Sequence, residues 1–87
     1  MHESGMIRDL VRRADAAAHE ANATRVIEMS VWLGALCQMS PEHFREHFEE
    51  DAKGTLAEGA CLVLEVSDDL AHPQAQAVML RSLELEV

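Results

Sequence analysis

The 87 residues suffice for one small domain, residues 1–87, and a 48% hydrophobic content places the chain among globular rather than disordered sequences. A formal charge of −9, with no basic stripe, excludes recognition of nucleic-acid phosphates and favours metal ions or a basic partner surface. No apolar run approaches membrane-spanning length, no signal-peptide pattern is present, and two isolated cysteines make no disulfide framework; together these predict a cytoplasmic chain away from membranes.

Residues 4–21 are predicted to form an amphipathic helix. Met6, Ile7, Leu10, Val11, Ala14, Ala17, Ala18 and Ala21 recur at helical spacing, with Ser4 as N-cap and Asn22 as the stop. Residues 24–33 read as a strand whose apolar face is Ile27, Met29, Val31 and Leu33, ended by Gly34. Ser40-Pro41-Glu42 is a helix start: a hydroxyl cap, proline at the first helical position and an acid in the first turn. That helix carries Phe44, Phe48 and Ala52 on one stripe and ends at Gly54. Glu49, Glu50 and Asp51 in its last turn oppose the macrodipole and suggest an exposed acidic surface.

Residues 60–66 form a second predicted strand and 67–76 a loop. Residues 77–87 are the last strand, with Leu83, Leu85 and Val87 facing one way. The result is an α+β layer fold of order α-β-α-β-β. Two helices pack on one face of a small three-stranded mixed sheet. Its open edges admit strand-mediated pairing of two copies.

The chemistry concentrates at the start. In Met1-His2-Glu3, the Met1 amine, the His2 amide nitrogen, the His2 imidazole and the Glu3 amide can close linked rings around one metal ion. A planar nitrogen set of this kind suits Ni(II) or Cu(II). Taken alone, a histidine at position two most often binds nothing. His43 and His47, four apart on one helix face beside Glu46 and Glu50, form a secondary candidate pair. The bland reading of that pair is a solvated flank of the Phe44/Phe48 stripe. His19 and His72 are expected at the surface, Cys37 and Cys61 as small core groups, and Met29, Met39 and Met79 as core filling. No nucleophile–base–acid set or phosphate-cradling loop can be assigned, so no enzyme is predicted.

Several pieces then fall in one order: Met1-His2-Glu3, Arg25-Val26, Gly34-Ala35-Leu36, Pro41-Glu42 and Lys53-Gly54-Thr55-Leu56-Ala57-Glu58-Gly59. The series resembles the HypA/HybF family of nickel-insertion accessory proteins for hydrogenase and, in some organisms, urease. The resemblance covers residues 1–66 and returns in the last strand. It implies nickel held by His2 with the Met1 amine and neighbouring amides, and Glu3 as the acidic neighbour that tunes the site. It also implies handover, with a maturation GTPase, to the large subunit of a nickel enzyme.

Two departures qualify it. The family's zinc domain, with paired CxxC motifs, is replaced here by the cysteine-free segment 67–76, so structural zinc is not expected. Glu46 and His47 stand where the family usually has apolar or small residues, which predicts a narrower buried face on the second helix. The alternative reading is a metal-independent interaction or regulatory module that kept the fold.

Overall fold

Helix α1, Glu3–Glu20, buries Ile7, Leu10, Val11, Ala14 and Ala18, the inward stripe set by its apolar spacing. The computed structural model describes the backbone of residues 3–87 and the side chains of residues 5–87. The helix already includes Ser4, which is therefore not its cap. Its other end is as expected. Asn22 takes φ 58, Ala23 N–H donates to Ala18 O at 2.9 Å, and Asn22 N–H donates to His19 O at 3.1 Å. This paired closure is a Schellman motif, in which a left-handed residue satisfies the last carbonyls. Ala21 falls in that turn and is exposed.

Strand β1, Arg25–Leu33, is the centre of a mixed sheet of order β2-β1-β3. It runs parallel to β2, Cys61–Val66, and antiparallel to β3, Val78–Glu86. The α-β-α-β-β order stands as predicted, but the facing of β1 does not. Its buried residues are Val26, Met29, Val31, Trp32 and Leu33, whereas Ile27 is only half-buried. The pairing with β3 shifts register between Val26 and Glu28. One extra residue there reverses the alternation, so Val26 takes the core position assigned to Ile27.

Helix α2, Pro41–Asp51, makes the crossover that two parallel strands require. Ser40 sits in extended conformation and its side chain accepts from the His43 N–H at 3.1 Å. Ser40→Ala should therefore cost about 1 kcal/mol. A drop in urea midpoint at unchanged slope would show it, and an unchanged midpoint would refute the cap's contribution. The buried face of α2 is narrow, as anticipated: Phe44 and Phe48, followed by Ala52 at the C-cap. Glu49 and Glu50 are exposed, but Asp51 is not part of the expected acidic surface. Its side chain is 11% exposed and turns toward Arg8 of α1 at 3.9 Å.

The Lys53–Gly59 run is a set of turns with little freedom. Thr55 Oγ1 donates to Ala52 O at 2.8 Å and accepts from the Ala57 N–H at 3.0 Å. Glu58 Oε1 accepts from the Gly54 N–H at 3.2 Å. Leu56 is held from both sides. Its N–H donates to Asp15 Oδ1 of α1 at 2.8 Å, and its carbonyl accepts from the Val26 N–H at 2.8 Å. This sequence run is a structural clamp between α1 and β1.

The helices cover one sheet face, and the segment between β2 and β3 lies against the other near Trp32. Trp32 is 5% exposed, and the His72 ring tilts onto it with centroids 4.9 Å apart. His72 Nδ1 accepts from the Gln74 N–H at 2.9 Å, so His72 is a packed residue rather than a free surface one. Met79, paired with Trp32 in the register, lies half-buried on that second face and not in the core. Met29 and Met39 do fill the core. Cys37 packs half-buried against it. Cys61 is exposed, contrary to expectation. Alternation on the edge strand gives the inward position to its neighbour Leu62. Val87 follows the last strand and is 88% exposed, not aligned with Leu83 and Leu85 against the core.

Candidate metal centre

Met1 and His2, and the side chain of Glu3, on which the amino-terminal chelator is expected, lie outside the described residues. The secondary pair is fully described. His43 and His47 have ring centroids 4.4 Å apart at an interplanar angle of 57°. Successive turns of α2 carry the two imidazoles side by side, close enough to reach a common ion. Both are half-buried rather than solvated. The reason is their line along the helix: His43, His47 and Asp51 are each four apart, and Asp51 contacts α1. Intermediate exposure beside the buried Phe44 and Phe48 is also what a polar flank of that stripe shows.

Charge along this line favours a cation. Asp51 Oδ2 is buried with no hydrogen-bond partner among the described residues, and its other oxygen has only the long Arg8 contact. Glu46 and Glu50 flank the pair on the exposed side. Two imidazoles nevertheless make only part of a coordination set. Among the described residues, no group of three His, Cys, Asp or Glu side chains is placed to hold a metal ion. His19 stays exposed, with Nε2 3.4 Å from Asp15 Oδ1.

A cleft of about 510 Å³ between the end of α2 and the start of β2 includes Arg45, Phe48, Lys53, Cys61 and Leu62. Arg45 Nη1 donates to Leu62 O at 3.0 Å, which fixes it as a structural tie rather than a free anion ligand. No sequence motif signalled this cleft. The sequence reading also missed Asp15, whose role appears only once Leu56 is brought 41 positions along the chain to its side. No described helix is long and apolar enough to cross a membrane.

Comparison with known proteins bears on the family. A family model described as "HypA: Hydrogenase/urease nickel incorporation, metallochaperone, hypA" matches residues 1–74. The chain belongs to the HypA family. A hydrogenase maturation factor HypA of Picosynechococcus sp. is 40% identical over 65 residues, 75% of this chain and 58% of the relative. One from Chlorobium limicola is 38% identical over 65 residues, 75% of this chain and 56% of the relative. The chain thus covers somewhat more than half the length of these HypA relatives. Among solved structures, a Ni metallochaperone HypA from Helicobacter pylori superposes with TM-score 0.82, covering 99% of this chain and 98% of that one, at 18% identity. A second HypA solution structure gives 0.71, at 18% identity, covering 98% and 96%. At that identity the likeness is one of fold.

Proposed function

We propose that this HypA-family chain is a nickel metallochaperone-like accessory protein that binds Ni(II) through Met1 and His2, with Glu3 as acidic neighbour. The observation that carries the reading is the Met-His-Glu start lying inside the family match over residues 1–74. Ni(II) here is cargo. A borderline ion that accepts deprotonated amides suits an amine–amide–imidazole set better than carboxylates alone. A divalent cation beside a helix amino end is opposed by the macrodipole, but negative charge on coordinated amide nitrogen offsets that cost. An open site releases its ion by ligand exchange more readily than a closed four-ligand cage. Delivery then proceeds through protein contacts, with a maturation GTPase and the large subunit of a nickel enzyme as the partners. No structural zinc is assigned in this reading.

The test is a Ni(II) titration of protein with an unmodified amino terminus, beside His2→Ala. The variant should bind roughly 100-fold more weakly or worse, a difference of about 3 kcal/mol. Equal affinity in the two, or loss only on changing His43 and His47, would remove His2 from the site.

A second reading is favoured by a different observation. The edge strand β2 exposes Val63 at 41% and Val66 at 60%, an apolar margin suited to pairing with another chain or a second copy. On that reading the protein is a metal-independent interaction module. A stable partner or dimer formed without nickel, together with no nickel response, would support it over delivery.

A further inference from the structure

Edge strand β2 carries an unused set of main-chain bonds. Ser67 N–H donates inward to Leu33 O at 2.9 Å, so alternation turns the peptide groups of Leu62, Leu64 and Val66 outward, away from β1. Arg45 of α2 occupies the first of these, donating to Leu62 O at 3.0 Å. Among the described residues nothing bonds the outward N–H and C=O of Leu64 or Val66. The side chains along the same margin are largely apolar: Val63 is 41% and Val66 60% exposed, and Leu64 is half-buried. An edge of this kind accepts a further strand, with main-chain bonds supplying affinity and side-chain pockets supplying selectivity.

The pocket is the cleft of about 510 Å³ between the end of α2 and the start of β2. It opens beside Leu62 on the helix side of the sheet, where a side chain of the added strand opposite Leu62 points. Its wall is apolar, formed by the buried Phe48 and Leu62. Its charges are unevenly satisfied. Arg45 is tied to Leu62 O, and Lys53 reaches Glu50 at 3.2 Å. Glu49 has no ion pair among the described residues, and Glu58 uses one oxygen, which accepts from the Gly54 N–H at 3.2 Å. Glu65, exposed on the opposite face of β2, also has no ion pair among the described residues. An apolar wall with open carboxylates at its rim fits the aliphatic stem and charged head of an arginine or lysine.

We propose that β2 is the docking edge for an extended, basic segment of a partner protein. One arginine or lysine of that segment fills the cleft opposite Leu62, a second faces Glu65, and two apolar residues between them cover Val63 and Leu64. This docking rests on the exposed β2 margin of the second reading and is independent of nickel at the amino terminus. The two basic residues stand three apart, which puts them on opposite faces of an extended strand, as Leu62 and Glu65 are on β2. Charge decides between this occupant and a second copy. The chain carries −9, and Glu42, Glu46, Glu49 and Glu50 of α2 are all exposed. Antiparallel pairing of two β2 edges about a two-fold axis keeps the helices of both copies on one side of the joined sheet, which sets these acidic helices side by side. A basic strand meets attraction there, and a second copy meets repulsion.

The experiment titrates the full chain with an end-blocked peptide whose centre is arginine-valine-valine-arginine, a pattern that reads the same in either strand direction. Binding should protect the Leu64 and Val66 amides from hydrogen exchange and should weaken as salt is added. A peptide with glutamate for both arginines should bind roughly tenfold more weakly, and so should the arginine peptide to Glu49→Lys/Glu65→Lys. Val66→Pro removes an outward N–H that no described bond uses, a change an edge strand tolerates, and docking should again fall roughly tenfold. An unaltered circular dichroism melt separates that loss from misfolding, and the exchange measurement on the unaltered chain decides if the variant unfolds. Peptide binding that leaves the Leu64 and Val66 amides unprotected is charge attraction alone and overturns the added strand. A dimer of the chain alone that Val66→Pro abolishes overturns the basic occupant and leaves the second reading standing. No peptide binding by a chain that stays monomeric overturns the docking and removes the edge observation behind that reading.

Discussion

Phe44→Ala is expected to cost about 3–5 kcal/mol, the range for removing a buried aromatic from a packed core. Phe44 is 0% exposed and the largest fully buried side chain among the described residues. The chain has few alternatives for filling that space, with two phenylalanines, one tryptophan and no tyrosine among 87 residues. Domains of this size hold only about 5–15 kcal/mol in total, so the variant should be partly unfolded at 37 °C. Urea denaturation would read the loss as a lower midpoint with an unchanged slope. A cost below about 1 kcal/mol would mean that α2 can collapse onto the sheet without it. Leu70→Ala, at a position 67% exposed, is the control and should change little.

The second large effect is expected at Gly34. A Cβ there would run into the Ala75 carbonyl and come within 2.9 Å of the Ala77 carbonyl oxygen. Both are backbone atoms and cannot swing aside. Gly34→Ala must therefore push the 75–77 segment away. That endangers the bond from the Gly34 N–H to Ala77 O at 2.9 Å and the bond from the Leu36 N–H to Ala75 O at 2.7 Å. Overpacking of this kind costs about 1–3 kcal/mol, and each strained hydrogen bond adds about 1 kcal/mol. Trp32 reports the event, since it is the sole tryptophan and His72 of the same segment lies on it. Its fluorescence should shift to the red at temperatures where the far-ultraviolet circular dichroism is still native. An unshifted spectrum and unchanged melting temperature would show that the segment accommodates a methyl group.

What the sequence made legible was local. The α1 stripe, the Asn22 stop and the Ser40-Pro41 start each depend on residues within a turn or two of one another, and each stands in the structure. The errors were long-range. The phase of β1 turns over at Ile27 because of its pairing with β3, dozens of residues away, and no alternation within 24–33 could disclose that. Trp32 looked like a member of a mixed strand face until the 67–77 segment covered it. Cys61 was assigned inward by its residue type, but the edge position of β2 gives that side to Leu62.

The candidate site divides the same way. Met1-His2-Glu3 stands out as a motif because its proposed donors are covalent neighbours, and it lies outside the described side chains. His43 and His47 were legible as a pair, since helical spacing alone sets them together. The contact of the same helix with α1 was not legible, since it depends on sheet topology and shows in Arg8 lying 3.9 Å from Asp51.

The clamp at Leu56 has a consequence for how this lineage is traced. The run from Lys53 to Gly59 is the longest of the motifs carrying the likeness, yet its described bonds hold α1 to β1 and close turns, and none involves the proposed metal ligands. A descendant could replace its first three residues, surrender nickel and still display that run intact, because the architecture would punish its loss regardless of cargo. Membership and trade are written in different parts of the chain. Sorting proposed carriers from idle copies should therefore weigh the opening residues and set the clamp aside.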